Sequence, residues 1–365
     1  VSSVKFDEEY DHIEELDNIC KHVAYFPLKE NHSRLQLAFS LARNLLSPKP
    51  FVAQKYDNDN MRQAIRRLMS EVAFDVIHID MLPLACYLEL FVGVPVLLNA
   101  HNVESGLLSR QVESETNWLR RWYFSLQERR LSRFEKWAFE KVDHVAVCSE
   151  QDRELALRLA PEGNYTVVPN GVDTDFFRPN KQAISSTNDL IFVGGLNWHP
   201  NLDGLRWFDQ EVMPKIIREC PDVKLHLVGR KAEGIAWRHR ENMLFHGFVD
   251  DIRPYVENAC VFVVPLRIGG GTRLKILDAM AMGKAIVSTS IGAEGLGATD
   301  GENICLADSA ESFAREILAC QGNSALVEQL GSSALDYVMT HFRWESIGGK
   351  LLDAYLSCMN TAQVK

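Results

Sequence analysis

The sequence predicts an α/β chain built as two doubly wound halves, each a parallel sheet flanked by helices. Three observations predict it. Short apolar runs alternate with longer helical patterns along the chain. The alternation pauses at a polar run, residues 180–189 (NKQAISSTND), and then restarts. In the second half the apolar runs lead into glycines, most densely at Gly269-Gly270-Gly271.

At 365 residues the chain suits two domains, expected at 1–180 and 181–342, with a terminal helix at 343–365 packing back toward the first. A hydrophobic content of 46% with 24% charged residues suits folded domains. The formal net charge of −10 argues against nucleic acid as the main partner, though not against a local basic groove. Eight cysteines are scattered with no CxxC spacing, which fits free thiols in a reducing compartment better than disulfides or zinc. No apolar run approaches the ~20 residues that span a bilayer, and the charged start is not a signal peptide. The cytoplasm is the expected compartment.

In the first half, strands are expected at residues 21–26 (KHVAYF), 74–79 (FDVIHI), 94–100 (VPVLLNA), 144–148 (HVAVC) and 165–168. Helical patterns include 34–46 and 60–72. The start, VSSVKFDEEYDHIEEL, reads as a later strand running directly into a helix, so an opening strand and glycine loop are expected to be missing from this domain. The notable strand end is LLNAHNVES, where His101, Asn102 and Glu104 follow an apolar run. In open parallel sheets the ligand crevice lies off such carboxyl ends. A histidine there is either structural or functional. His12, His22 and His78 have no comparable setting.

Residues 118–142 form a long helical pattern in which Leu119, Trp122, Leu126, Phe134, Trp137 and Ala138 supply the apolar side. Arg120, Arg121, Arg129, Arg130, Arg133 and Lys136 make the other side basic. It reads as a core helix with a solvated basic face, or as one resting on anionic lipid at the inner face of a membrane. In PNGVDTDFFRP, Asp173 and Asp175 read as turn formers rather than a metal pair.

The second half opens with strand 190–193 (LIFV) running into Gly194-Gly195. Strands follow at 223–228 and at 243–246, the latter leading into Gly247, Phe248 and Val249, with a helix from about Ile252. Strand 260–264 (CVFVV) leads to PLRIGGGTRLKILDAMAMG, and strand 285–289 leads to IGAEGL with Glu294. After the Gly269-Gly270-Gly271 turn, Thr272 is expected to cap a helix carrying Arg273 and Lys275 in its first turn. Cations there cost a few tenths of a kcal/mol unless an anion sits opposite. Strand, glycine turn and helix start therefore read as an anion seat, most simply for a diphosphate. A terminal helix is expected at 342–355.

These residues carry a resemblance. VPNGVDTDFF, IFVGGLNWHPN, LHLVG, FHGFVDDI and VVPLRIGGGTRLKILDAMAMGKAIVSTSIGAEGL, in that order, resemble the donor-binding domain of GT-B glycosyltransferases of the retaining family 4 (group 1). LLNAHNVE and VDHVAVCSE fit its acceptor-side domain. The chain is most similar to the bacterial polysaccharide-assembly branch with a GxGTRxKxLEAMA signature. The resemblance implies two Rossmann-like domains facing across a cleft, and a nucleoside-diphosphate sugar as co-substrate, with no cofactor and no metal. It implies a hydroxyl acceptor on a glycan or lipid-linked sugar, with peripheral membrane contact as one setting.

Carried over by position, Asp278 matches the second of the family's two glutamates and would bind the ribose hydroxyls. The first falls on Gly270, so its sugar contact is lost or moves to Glu294 or to triplet backbone. The Arg/Lys pair usual after the first glycine loop is replaced by Asn197, Trp198, His199 and Pro200, leaving Arg273 and Lys275 to take the diphosphate. His101 corresponds to the histidine near the reacting sugar carbon. Gly194, Gly195 and Asn197 join the donor-binding set, and Gly247, Phe248 and Val249 match the segment that reads the base. Two alternatives stay open: a non-catalytic nucleotide-sugar-binding scaffold subunit, and a nucleotide-sugar epimerase of the same fold.

Overall fold

Strands in this chain form where apolar runs can be buried on both faces of a parallel sheet. The computed structural model describes residues 2–4, 16, 18–27, 34–180, 188–230, 235–269 and 273–364. They fall into two units: Val1–Val167 with Leu351–Lys365, and Val168–Lys350.

In unit 1, β1 (Ser2–Val4) and β2 (Tyr25–Pro27) pair in parallel as a separate two-stranded sheet. Helices α1 (Arg34–Leu45), α2 (Phe51–Tyr56) and α3 (Asp59–Glu71) follow, the last capped by the Asn58 side chain on the Asn60 and Met61 N–H groups. A four-stranded parallel sheet then runs in chain order: β3 (Ile77–Ile79), β4 (Val96–Ala100), β5 (His144–Val147) and β6 (Tyr165–Val167). A 3-10 segment, Leu82–Leu90, links β3 to β4. Helices α4 (Glu104–Ser114) and α5 (Trp118–Lys141) lie between β4 and β5, and α6 (Glu150–Leu159) follows β5. The core gathers Leu98, Ala100, Val145 and Val147 from the sheet with Leu131, Ala138 and Phe139 from α5.

Unit 2 contains β7 (Leu190–Val193), α7 (His199–Trp207), α8 (Met213–Glu219), β8 (Leu225–Val228) and β9 (Met243–Gly247). It continues through α9 (Arg253–Asn258), β10 (Val261–Val264), α10 (Leu274–Ala281), β11 (Ala285–Ser288) and β12 (Cys305–Leu306). Three helices close the chain: α11 (Ala310–Gln321), α12 (Ser324–His341) and α13 (Trp344–Val364). The six strands are parallel in the order β12-β11-β10-β7-β8-β9. Chain direction across the sheet therefore reverses between β7 and β10, which is where such sheets open a ligand crevice. One apolar layer, with Phe192, Val263 and Phe313, packs on one sheet face, and another, with Phe262, Ile276 and Met280, on the other.

Several expectations need correction. Strands expected at 21, 74 and 223 start later, at Tyr25, Ile77 and Leu225. The terminal helix begins at Trp344, because Phe342 closes α12 through its N–H to Val338 and accepts from Val172 N–H at 2.8 Å. The helix expected directly after the first strand falls on residues 5–15, outside the described residues. The largest revision concerns α5. Its buried stripe is Gln127, Leu131, Glu135, Ala138 and Phe139, whereas Trp118, Leu119, Trp122 and Trp137 are exposed.

Candidate functional site

The glycine-bearing loops of unit 2 lie at the carboxyl ends of β7, β8, β9 and β10. At the end of β7 the chain turns at Gly194, whose φ is +153°. A Cβ there would lie 2.8 Å from Asn201 Nδ2 and 2.9 Å from Lys275 Nζ, so only glycine leaves room for what converges on it. The neighbouring turn at Gly229 presses on the same loop, since a Cβ on Gly229 would collide with the Gly194 carbonyl. Backbone bonds from Gly194 N–H to Val228 O and from Leu196 N–H to Arg230 O, each 2.8 Å, fix the two turns together.

Lys275 crosses from α10 to this loop. Its ammonium donates to Asn201 Oδ1 at 3.2 Å and sits 4.2 Å from the Phe192 ring centroid, while Asn201 Nδ2 donates to Gly195 O at 2.9 Å. Burial, with the nearby Arg273 charge second, pulls the Lys275 pKa down to about 7. α10 starts at Leu274, with Arg273 in the capping position and no side-chain cap. The expected Thr272 cap, with Gly270 and Gly271, lies outside the described residues. Gly269, at φ +119°, has a Cβ position only 2.6 Å from the Arg273 Nη2, so the guanidinium folds back against it. Asp278 lies one turn further along α10, half-buried, with burial raising its carboxyl to about 6.

The structure thus brings Gly194, Gly195, Lys275, Arg273 and Gly269 to the β7–β10 switch. Asn197 is exposed in the turn before α7, its Oδ1 2.5 Å from a Cβ position on Gly195. Gly247, Phe248 and Val249 sit further out. Gly247 O accepts from Gly229 N–H at 2.8 Å, and the exposed Phe248 ring lies 6.0 Å from the Arg230 guanidinium. Glu294 is half-buried in the loop after β11, two strands from β7. Asp173 accepts the Asp175 and Phe176 N–H groups at 3.0 and 2.9 Å, as a turn former does.

In unit 1, His101 stands exposed just past β4 with its Nε2 3.5 Å from Asp80 Oδ1, just past β3. The Asp80 contact, then Cys148, raises the His101 pKa to about 10, and the two histidines flanking Asp80 hold its carboxyl well below the usual range. His78 and Asp80 were missed by sequence reasoning. The available signal was the strand-end position of Asp80, on the strand next to the one that ends at His101. Glu135 was also missed: fully buried on α5, it accepts the Glu104 and Ser105 N–H groups at 2.7 and 3.1 Å and so caps α4. Burial and the facing Glu135 push Glu104 up to about 7. Beside it opens a cavity of about 510 Å³ lined by Asn102, Glu104, Leu108, Tyr123 and Phe124 among others.

Residues 187–323 match the family model described as glycosyl transferases group 1, and residues 23–176 match that of glycosyltransferase family 4. An uncharacterized 44.6 kDa protein of the Klebsiella pneumoniae cps region is 30% identical over 176 residues, 46% of this chain and 45% of that protein. A phosphatidyl-myo-inositol mannosyltransferase of Mycobacterium tuberculosis is 25% identical over 203 residues, 52% of this chain and 53% of the relative. The chain thus spans about half the length of the curated relatives it matches. Among solved structures, sucrose-phosphate synthase from Thermosynechococcus elongatus superposes with a TM-score of 0.68 at 19% identity, covering 93% of this chain and 84% of that one. Anabaena Alr3699/HepE with UDP gives 0.66 at 16% identity, covering 97% and 92%. These likenesses show the GT-B type of α/β fold, and the two family matches, one in each half, support a group 1 glycosyltransferase.

Proposed function

We propose that the chain transfers a sugar from a nucleoside-diphosphate sugar to a hydroxyl acceptor, with retention at the anomeric carbon, in polysaccharide or glycoconjugate assembly. One observation carries the reading: Lys275 and Arg273 converge with Gly194 and Gly269 at the sheet's switch point, where a diphosphate finds two cations and turn N–H groups. As the glycosidic bond breaks, negative charge grows on the departing diphosphate and the sugar becomes oxocarbenium-like. Groups already aimed at that charge lower the barrier without reorganising. Asp278 takes the ribose hydroxyls, and Phe248 with Arg230 flanks the base. His101 is assigned to the reacting sugar. A donor phosphate oxygen takes the acceptor proton, and no metal is assigned, because Arg273 and Lys275 supply the cationic charge.

The Anabaena HepE structures hold UDP and glucose or UDP-glucose, which makes UDP the first nucleotide to test here. Arg273→Ala should lose about 2–4 kcal/mol in kcat/KM for the donor. An unchanged kcat/KM would remove Arg273 from this role. Calorimetry that shows UDP binding without turnover on any acceptor would instead make the chain a nucleotide-binding subunit. An epimerised sugar formed without an acceptor would make it an epimerase.

The exposed Trp118, Leu119 and Trp122, flanked by exposed Arg120 and Arg121 at the start of α5, favour contact with an anionic membrane surface holding a lipid-linked acceptor. Among the described residues no helix is long and apolar enough to cross a membrane. Pelleting with anionic but not neutral liposomes, lost in Trp118→Ser/Trp122→Ser, is the expected result. Equal pelleting of the double variant would count against the surface.

A further inference from the structure

A chain of polar side chains links the last helix of the protein to His101. Tyr355, on the part of α13 that belongs to unit 1, places its hydroxyl 2.6 Å from His78 Nδ1, with the two rings edge-on at 5.7 Å. His78 Nε2 lies 3.5 Å from Asp80 Oδ1. The same oxygen accepts from Asn99 Nδ2 at 2.9 Å and lies 3.5 Å from His101 Nε2. Asn99 thus donates to this carboxylate oxygen, and two imidazole nitrogens lie close to it on either side. We propose that Tyr355 is a positioning residue that acts through His78 and Asp80 to hold His101 in one orientation at the carboxyl end of β4.

The carboxylate decides the tautomer. An Nε2 lone pair turned to Asp80 would be repelled by it, which favours the His78 tautomer with its proton on Nε2 and, in that tautomer, a Tyr355 hydroxyl that donates to Nδ1. Without that hydroxyl the two tautomers come closer in energy, an Nε2 lone pair faces Asp80 for part of the time, and the carboxylate is less well held. His101 then loses part of what fixes it. The other titratable groups at His101 are Cys148, from the end of β5, and Glu104, from the start of α4. Neither depends on Tyr355. The effect on turnover rests on the transferase reading given above, but the geometry does not.

The test is ¹⁵N NMR of the histidine side chains in the full chain without ligand, beside kinetics with the donor. In Tyr355→Phe the His78 nitrogens should shift from a single Nε2–H tautomer toward a mixture. The His101 titration midpoint should fall by roughly half a unit to one unit, against about two units in Asp80→Asn. In the same variant kcat should fall several-fold while the donor KM holds. An unmoved His78 tautomer with an unmoved His101 midpoint, in a Tyr355→Phe protein that melts as wild type does, overturns the proposal. Should Tyr355→Phe not fold, His78→Gln is read for the same His101 shift, and its absence overturns the proposal equally. The expected spectra from a protein that transfers no sugar would sink only the transferase reading.

Discussion

Lys275 holds its charge at a cost, and that cost has a measurable sign. With burial bringing its pKa to about 7, the side chain is largely neutral at pH 8 in the unliganded protein. A diphosphate placed beside it favours the ammonium form, so UDP binding at pH 8 should take up close to one proton. Calorimetry in buffers of different ionisation enthalpy reads this directly, and the uptake should vanish at pH 6 and in Lys275→Met. The same shift acts on folding: between about 7 and the ordinary 10.5 the unfolded lysine binds more protons than the folded one. Stability therefore rises with pH through that window, and Lys275→Met should gain most over wild type at or below pH 7. His101 has the opposite sign. Raised to about 10, it contributes stability fully present below the usual 6.5 and lost as pH rises toward 10. Asp80, held low, contributes above its usual 3.8 and loses that contribution as pH falls further. Asp80→Asn should accordingly destabilise more at pH 7 than above pH 10, where the His101 charge is gone and the Asn99 bond remains, as denaturant titrations at the two pH values would show.

At the scale of elements, the two glycine turns behave as one piece. At Gly229, with φ +143°, a Cβ would fall on the Gly194 carbonyl, so an added methyl meets backbone rather than a side chain that could swing away. Gly229→Ala should cost about 2 kcal/mol or more in urea denaturation and weaken UDP binding, because Gly194 and Lys275 must shift with it. Full retention of both properties would dissociate the turn from the seat. Turns of this kind were legible in the sequence, because β7 and β10 are buried apolar runs that lead to glycine, and β8 ends directly at Gly229. The buried face of α5 was not. Gln127 and Glu135 occupy its core stripe because each meets a backbone demand: Gln127 accepts from Phe51 N–H at 2.9 Å, and Glu135 caps α4. A pattern that scores polar residues as outward must misplace such a helix, and it did so by turning Leu119 and Trp122 inward. His78 was illegible for another reason. Its partner Tyr355 lies 277 positions along the chain, and no local spacing announces that contact.

At the scale of the whole molecule, each unit closes its own core. Unit 2 covers both faces of its six-stranded sheet with apolar layers drawn from its own helices. Its two ends are tied to each other: Val172 N–H donates to Phe342 O at 2.8 Å, and the Trp344 ring packs on Gly171, 2.7 Å from where a Cβ would stand. A fragment of residues 168–350 therefore keeps every strand of its sheet together with the Lys275, Arg273 and Gly194 constellation. It should melt in one cooperative transition and bind UDP within about threefold of the full chain, a difference below about 1 kcal/mol. It should transfer no sugar, because His101, Asp80 and Tyr355 all belong to unit 1. A folded fragment that binds no UDP would mean that unit 1 supplies part of the nucleotide seat. The anion site would then have to be sought outside the β7–β10 switch alone. Binding retained and lost again on Lys275→Met in the fragment would place the nucleotide on unit 2 without reference to catalysis.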